Sequence, residues 1–125
     1  MKMKLPLVVV TLALLAACAA PQKSSKKGLT GRWTNSLGTQ WTLHSDGKFD
    51  VDLDKDGKSD AWGHYAIAGD TIRIFDGGGT AKPPKGCEGE ALYHFHVADD
   101  ALHFKLVKDA CKLRKKNVLM EWYRA

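Results

Sequence analysis

From Leu29 onward the sequence alternates apolar with polar residues in short runs, broken by turn residues every eight to twelve positions, with no competing helical period. Such a chain makes strands. Its turns fix how the strands face each other, because a one-residue slip in a hairpin sends every apolar side chain to the wrong face. With Ser45-Asp46-Gly47 as a three-residue loop, Leu43 faces Phe49 and Trp41 faces Val51. A turn at Ala68-Gly69-Asp70-Thr71 sets Ile67 against Ile72 and Tyr65 against Ile74. A third, at Asp99-Asp100, pairs Val97 with Leu102, Phe95 with Phe104 and Tyr93 with Leu106. Three hairpins thus agree on one buried face. Eight strands are predicted, near 31–35, 39–44, 48–54, 58–68, 71–76, 90–98, 101–107 and 118–124.

A meander with one apolar face hides that face and loses its edges if it closes, so the expected fold is all-β, a small eight-stranded antiparallel up-and-down barrel over residues 29–125. Gly31-Arg32-Trp33 resembles the G-x-W signature of lipocalins and their calycin relatives. The resemblance implies that Trp33 closes one end of the barrel under an arginine from the last strand, here Arg124. Cys87 before YHFHVADDALHF, then Asp109-Ala110-Cys111-Lys112-Leu113-Arg114 and a closing EWYR, are similar to the small lipocalin-like domains of bacterial lipoproteins. That likeness spans nearly all of residues 29–125 and implies a fold rather than an activity.

Residues 1–17 read as an export signal: MKMK is cationic, and LPLVVVTLALLAA is apolar but short for a bilayer span. Leu15-Ala16-Ala17-Cys18 resembles the lipobox of bacterial lipoproteins, which implies diacylglycerol on the Cys18 thiol, cleavage before it and an acylated amino terminus. Several acyl chains on one residue give stable attachment. Ala19 after the cysteine implies sorting to the outer membrane of a Gram-negative cell. The competing readings are an uncleaved signal anchor and ordinary cleavage after an A-x-A-like stretch. Residues 18–28, small, polar and basic, then form a tether.

With Cys18 acylated, Cys87 and Cys111 remain, an even number in an oxidising location, and a disulfide is expected. A thiol nucleophile or a metal pair is the alternative, though neither cysteine sits in a C-x-x-C setting. Without Lys2 and Lys4 the 19 basic residues become 17 against 14 acidic, so the formal charge falls from +5 to +3. That mild excess, with no basic groove interleaved with aromatics, argues against nucleic acid as a partner.

Two side-chain sets suit metal ions. Asp52, Asp54, Asp56, Lys58 through its carbonyl, and Asp60 occupy positions 1, 3, 5, 7 and 9 of a D-x-D-x-D-G-x-x-D run, with Gly57 at the turn. The run resembles EF-hand loops and the calcium loops between strands in extracellular modules, so weak Ca²⁺ binding is expected. Position 12 is Gly63, leaving water or a remote acid such as Asp76 to complete the shell. The competing reading is a plain hairpin tip, a three-residue loop at Lys55-Asp56-Gly57 with Asp54 across from Lys58 and Asp52 across from Asp60. The second set is His94, His96 and His103 on the outer face of the third hairpin, where imidazoles suit zinc, copper or nickel. The competing reading there is three ordinary exposed histidines.

No catalytic set is legible: no nucleophile-elbow pattern occurs, and Gly77-Gly78-Gly79 precedes no helix, reading instead as the start of a long mobile loop through Gly86. The chain is therefore expected to be no enzyme but an outer-membrane-anchored periplasmic lipoprotein with a binding or structural role. Its partners would be the membrane, through the anchor, and a small apolar ligand or envelope protein. An envelope enzyme inhibitor of the lysozyme-inhibitor kind is the alternative, although the S-G-x-x-Y stretch of such inhibitors is missing. Metal binding through the histidines is another.

Overall fold

The computed structural model describes residues 26–125, so Cys18, the signal and most of the tether lie outside the described residues. A single turn of helix, α1 (Lys26–Leu29), leads into β1 (Gly31–Thr34), β2 (Gln40–Leu43), β3 (Lys48–Asp52), β4 (Ala61–Ala68), β5 (Thr71–Gly79), β6 (Ala91–Ala98) and β7 (Ala101–Lys108). A second helix, α2 (Lys112–Val118), precedes the short β8 (Trp122–Arg124). All eight strands pair in chain order, antiparallel, and β8 returns to β1 to close the barrel. Closure leaves no strand of the sheet with an entirely unpaired side, which a sheet this small has no helical layer to cover.

The register follows the turns. Leu43 pairs with Phe49, Trp41 with Val51, Tyr65 with Ile74, Ile67 with Ile72, Phe95 with Phe104 and Val97 with Leu102. Trp33, Trp41, Leu43, Phe49, Ile72, Ile74, Tyr93, Leu102 and Trp122 all lie in the core. Each such side chain, moved out of water, contributes about 1.5–3 kcal/mol. Two of the expected core residues are outside it. Leu106 and Val97 are exposed. For Leu106 the cause is β8, which is so short that it pairs only with Ala101 and Leu102 and leaves the rest of β7 without a neighbour on that side.

The last element departs from the sequence reading. Residues 112–118 are helical, and the closing strand begins at Trp122 rather than at 118. Gly77, Gly78 and Gly79 are strand and not loop: Gly78 pairs with Trp62 and Gly79 with Ala61. A bulge between Trp62 and Gly63 brings the backbones so close that a Cβ on Gly63 would meet the Phe75 carbonyl oxygen at 2.0 Å.

The two ends of the barrel differ. At one end the hairpin turns are tight, and Trp33 is buried beneath Arg124, whose guanidinium carbon lies 4.0 Å from the indole centroid. The same guanidinium donates to the carbonyls of Thr30 (2.7 Å) and Gly28 (2.9 Å), and Trp33 Nε1 donates to Leu29 O. Gly31, at φ +128°, leaves room for it: a Cβ there would stand 2.5 Å from Arg124 Nη1. The other end carries the long connections, 35–39, 53–60, 80–90 and 109–121.

Candidate functional site at the open end of the barrel

The open end surrounds a cavity of about 520 Å³. Its floor is apolar, with Trp41, Phe49, Val51, Ile74, Val118 and Trp122, and its rim comes from three connections. One is the aspartate loop, through Leu53, Asp54 and Asp60. Another is the 80–90 connection, through Lys82, Pro83 and Pro84. The third is α2, through Leu113, Arg114 and Asn117. A volume of this size is that of a small-molecule pocket.

α2 sits across the mouth, and four sets of contacts hold it. The disulfide from Cys87 to Cys111 joins the 80–90 connection to its first turn, where Cys111 Sγ also accepts from Arg114 N as the N-cap. Asn117 Oδ1 accepts from Asn35 Nδ2 at 2.7 Å and from Thr39 Oγ1 at 3.3 Å, tying the helix to the 35–39 connection. Trp122 Nε1 donates to Val118 O at its far end.

The fourth set is ionic. Arg114 grips the Asp109 carboxylate through Nε and Nη2 at 2.8–3.2 Å, reaches Asp76 with Nη1 at 2.9 Å and donates to Gly89 O at 3.0 Å. Asp109 also accepts from the Tyr93 hydroxyl and from Cys111 N. Burial pushes the Asp109 carboxyl upward, but Arg114, Tyr93 and the Cys111 N–H outweigh it and hold it below the usual carboxylate range. Burial, with the Asp109 carboxylate as acceptor, raises the Tyr93 phenol far above its ordinary value. Asp76 behaves oppositely: burial raises its carboxyl by more than the shared Arg114 offsets. Asp76, named beside water as a way to complete the calcium shell, is thus paired with Arg114 and is not one of the grouped aspartates. Of this cluster the sequence offered the D-x-C-x-x-R spacing, the buried place of Tyr93 and the closing EWYR; nothing in it tied Asp76 to Arg114 or Asn117 to the 35–39 connection.

The aspartate loop is not the three-residue hairpin tip of the competing reading, although Val51 pairs with Ala61 as that register has it. The ladder stops at Val51 and Ala61, and residues 53–60 wrap around their own carboxylates. Asp52 accepts from Asp56 N and Gly57 N, Asp56 accepts from Lys58 N, and Asp60 accepts from Leu53 N. Lys55 and Gly57 take positive φ, 60° and 85°, to turn the chain. One carboxylate oxygen from each of Asp52, Asp54, Asp56 and Asp60 lies within 4.8 Å of the others. Desolvation and the like charges of Asp56 and Asp60 push the Asp54 carboxyl above its ordinary value, whereas at Asp52 the Gly57 and Asp56 N–H groups overcome desolvation and lower it. Hard oxygen donors held together under mutual repulsion fit Ca²⁺. Position 12 remains without a carboxylate, because Gly63 has no space for any side chain.

The histidines do not converge. His94 Nδ1 lies 3.1 Å from Thr71 Oγ1 and 3.5 Å from Asp70, while His96 and His103 stack with centroids 4.9 Å apart and His103 leans toward Glu121. Among the described residues the one group of three or more ligands close enough for an ion is the aspartate group.

Comparison with protein-family models, curated proteins and solved structures gave no match, so the reading rests on the geometry.

Proposed function

We propose that this chain is an outer-membrane-anchored periplasmic lipoprotein whose lipocalin-like barrel binds a small apolar ligand in its mouth, steadied there by calcium. The observation that carries this reading is the contrast between the barrel's ends: Trp33 and Arg124 seal one, while the other opens on an apolar-floored cavity of about 520 Å³. Burial of an aliphatic chain against Trp41, Phe49, Ile74 and Trp122 supplies the affinity. The Gly31, Trp33 and Arg124 arrangement supports the lipocalin-like assignment, and Leu15-Ala16-Ala17-Cys18 supports the anchor.

The barrel and its core lie wholly within residues 26–125, so that segment serves for the test. A fluorescent fatty acid is expected to bind it with a gain in emission, and Val51→Trp, which fills the cavity floor, is expected to abolish the gain. No emission change on titration with the unaltered protein would remove the binding reading.

In the calcium part of this reading Asp52, Asp54, Asp56 and Asp60 hold the ion with the Lys58 carbonyl, and the ion offsets the repulsion between the four carboxylates. Without a bidentate acid the affinity falls in the range of about 10⁻⁴ to 10⁻³ M seen for extracellular modules. Calorimetric titration with Ca²⁺ is expected to give heat and a higher melting temperature, both absent in Asp54→Ala plus Asp56→Ala. Equal traces from the two proteins would exclude the site.

A further inference from the structure

Away from the mouth, the outward faces of β4 and β5 break the rule that an antiparallel barrel turns polar residues to water, while β3 beside them keeps it with Lys48 and Asp50. Trp62 is 41% exposed there, whereas Trp33, Trp41 and Trp122 are at most 3% exposed. Phe75, paired with His64 on the next strand, is 38% exposed. The Trp62 indole lies on Gly78, where a Cβ would come within 2.9 Å of Nε1. Covering that glycine strand accounts for one face of the ring. The other face is left to solvent on a support too close to let it move inward.

Beside the indole is a notch of about 450 Å³ whose floor is the backbone of Gly63 and Gly77 and whose walls are Trp62, His64, Lys48, Asp50 and His44. Register sets Asp50 opposite Trp62 and Lys48 opposite His64. The Asp50 carboxylate is aimed by two neighbours: His44 Nε2 stands 2.5 Å from Oδ2, and Ser59 Oγ donates to Oδ1 at 3.3 Å. Lys48 and His64 have no ion pair of their own among the described residues.

We propose that this notch is a saccharide site in which a neutral pyranose ring stacks on Trp62 and its hydroxyls bond to Asp50, Lys48 and His64. A flat aromatic surface meets the C–H face of a sugar ring, whose equatorial hydroxyls then project sideways and need both donors and acceptors. Asp50 accepts, Lys48 donates, and an imidazole does either. Lys48 and Asp50 cancel in charge, which favours a neutral sugar over an acidic one. A ring already held flat loses little freedom on binding.

The test uses the full chain in a detergent without a sugar headgroup, titrated with N-acetylchitotriose, cellotriose and maltotriose. Tryptophan emission reports the site, because Trp62 is the exposed indole of the four. Binding of at least one trisaccharide is expected on the order of 1 mM, with a blue shift and protection from acrylamide. Trp62→Ala is expected to weaken it more than tenfold. Lys48→Ala and Asp50→Asn, which leave the indole in place, are each expected to weaken it more than threefold and decide the matter should the tryptophan variant fail to fold. No change with any of the three sugars at about 50 mM, or undiminished binding in these variants, overturns the proposal.

Discussion

Asp109→Asn is expected to lower the unfolding free energy by about 3 kcal/mol, the low end of the cost of breaking a buried ion pair by removing one partner. The Asp109 side chain is fully buried and that of Arg114 is 8% exposed, so water does not replace what is lost. Four protein groups depend on this carboxylate: the Arg114 Nε and Nη2, the Tyr93 hydroxyl and the Cys111 N–H. The low end applies because Arg114 keeps Asp76 and Gly89 O. In a domain of this size the loss corresponds to a fall in Tm of roughly 12–24 °C. The pH dependence carries its own sign. A carboxyl whose pKa is depressed in the folded state contributes stability that is present above its unfolded value and disappears as pH falls through its folded value. The gap in Tm between the unaltered protein and Asp109→Asn should therefore be full at neutral pH and close in acid, below the ordinary carboxylate range. Asp76, raised by burial, acts in the other direction: its ionisation costs stability above its folded pKa, and protonation in mild acid relieves that cost. Thermal melts of both proteins across the acid range check both signs, and a gap that stays constant with pH would refute the ionic account.

Cys87→Ser plus Cys111→Ser is expected to cost a similar amount, about 3 kcal/mol in the chain-entropy model for a loop of this length. Serine is the informative replacement. Cys111 Sγ caps α2 by accepting from Arg114 N, and a serine hydroxyl takes over that bond, so the measured loss is that of the cross-link rather than of the cap. The bridge joins residues 24 apart and anchors the 80–90 connection, whose contacts are otherwise few, to the helix over the mouth. The double variant should thus keep its barrel, with its near-ultraviolet tryptophan signal, and lose affinity for the fatty-acid probe along with Tm. Retention of the full Tm would show that the bridge does not constrain the unfolded chain as supposed.

How far the sequence foretold this arrangement depends on what local chemistry had to decide. The core hairpins were legible because a turn residue at a fixed offset leaves one register that buries Trp41 with Val51 or Phe95 with Phe104. The disulfide followed from counting cysteines. α2 was not legible: seven residues with one buried side chain, Val118, show no apolar period, and KLRKK reads as a solvated basic run. What makes it a helix is tertiary, namely Asp109 and Asp76 on Arg114 and Asn35 on Asn117. The glycine run was misread for a similar reason. Gly77–Gly79 have poor strand propensity, and only the indole of Trp62 and the bulge at Gly63 create the need for strand without side chains. The aspartate motif was legible as a pattern, but its backbone was not, since the loop's carboxylates are satisfied by its own N–H groups instead of by a continued ladder.

The polypeptide enters and leaves the barrel side by side: Trp33 pairs with Arg124, and Ala125 N donates to Arg32 O, both at the sealed end. At Lys26 and at Ala125 the described chain therefore lies at the opposite pole from α2 and the cavity. An immobilised sample coupled through Ala125 would present its mouth to the flowing solution.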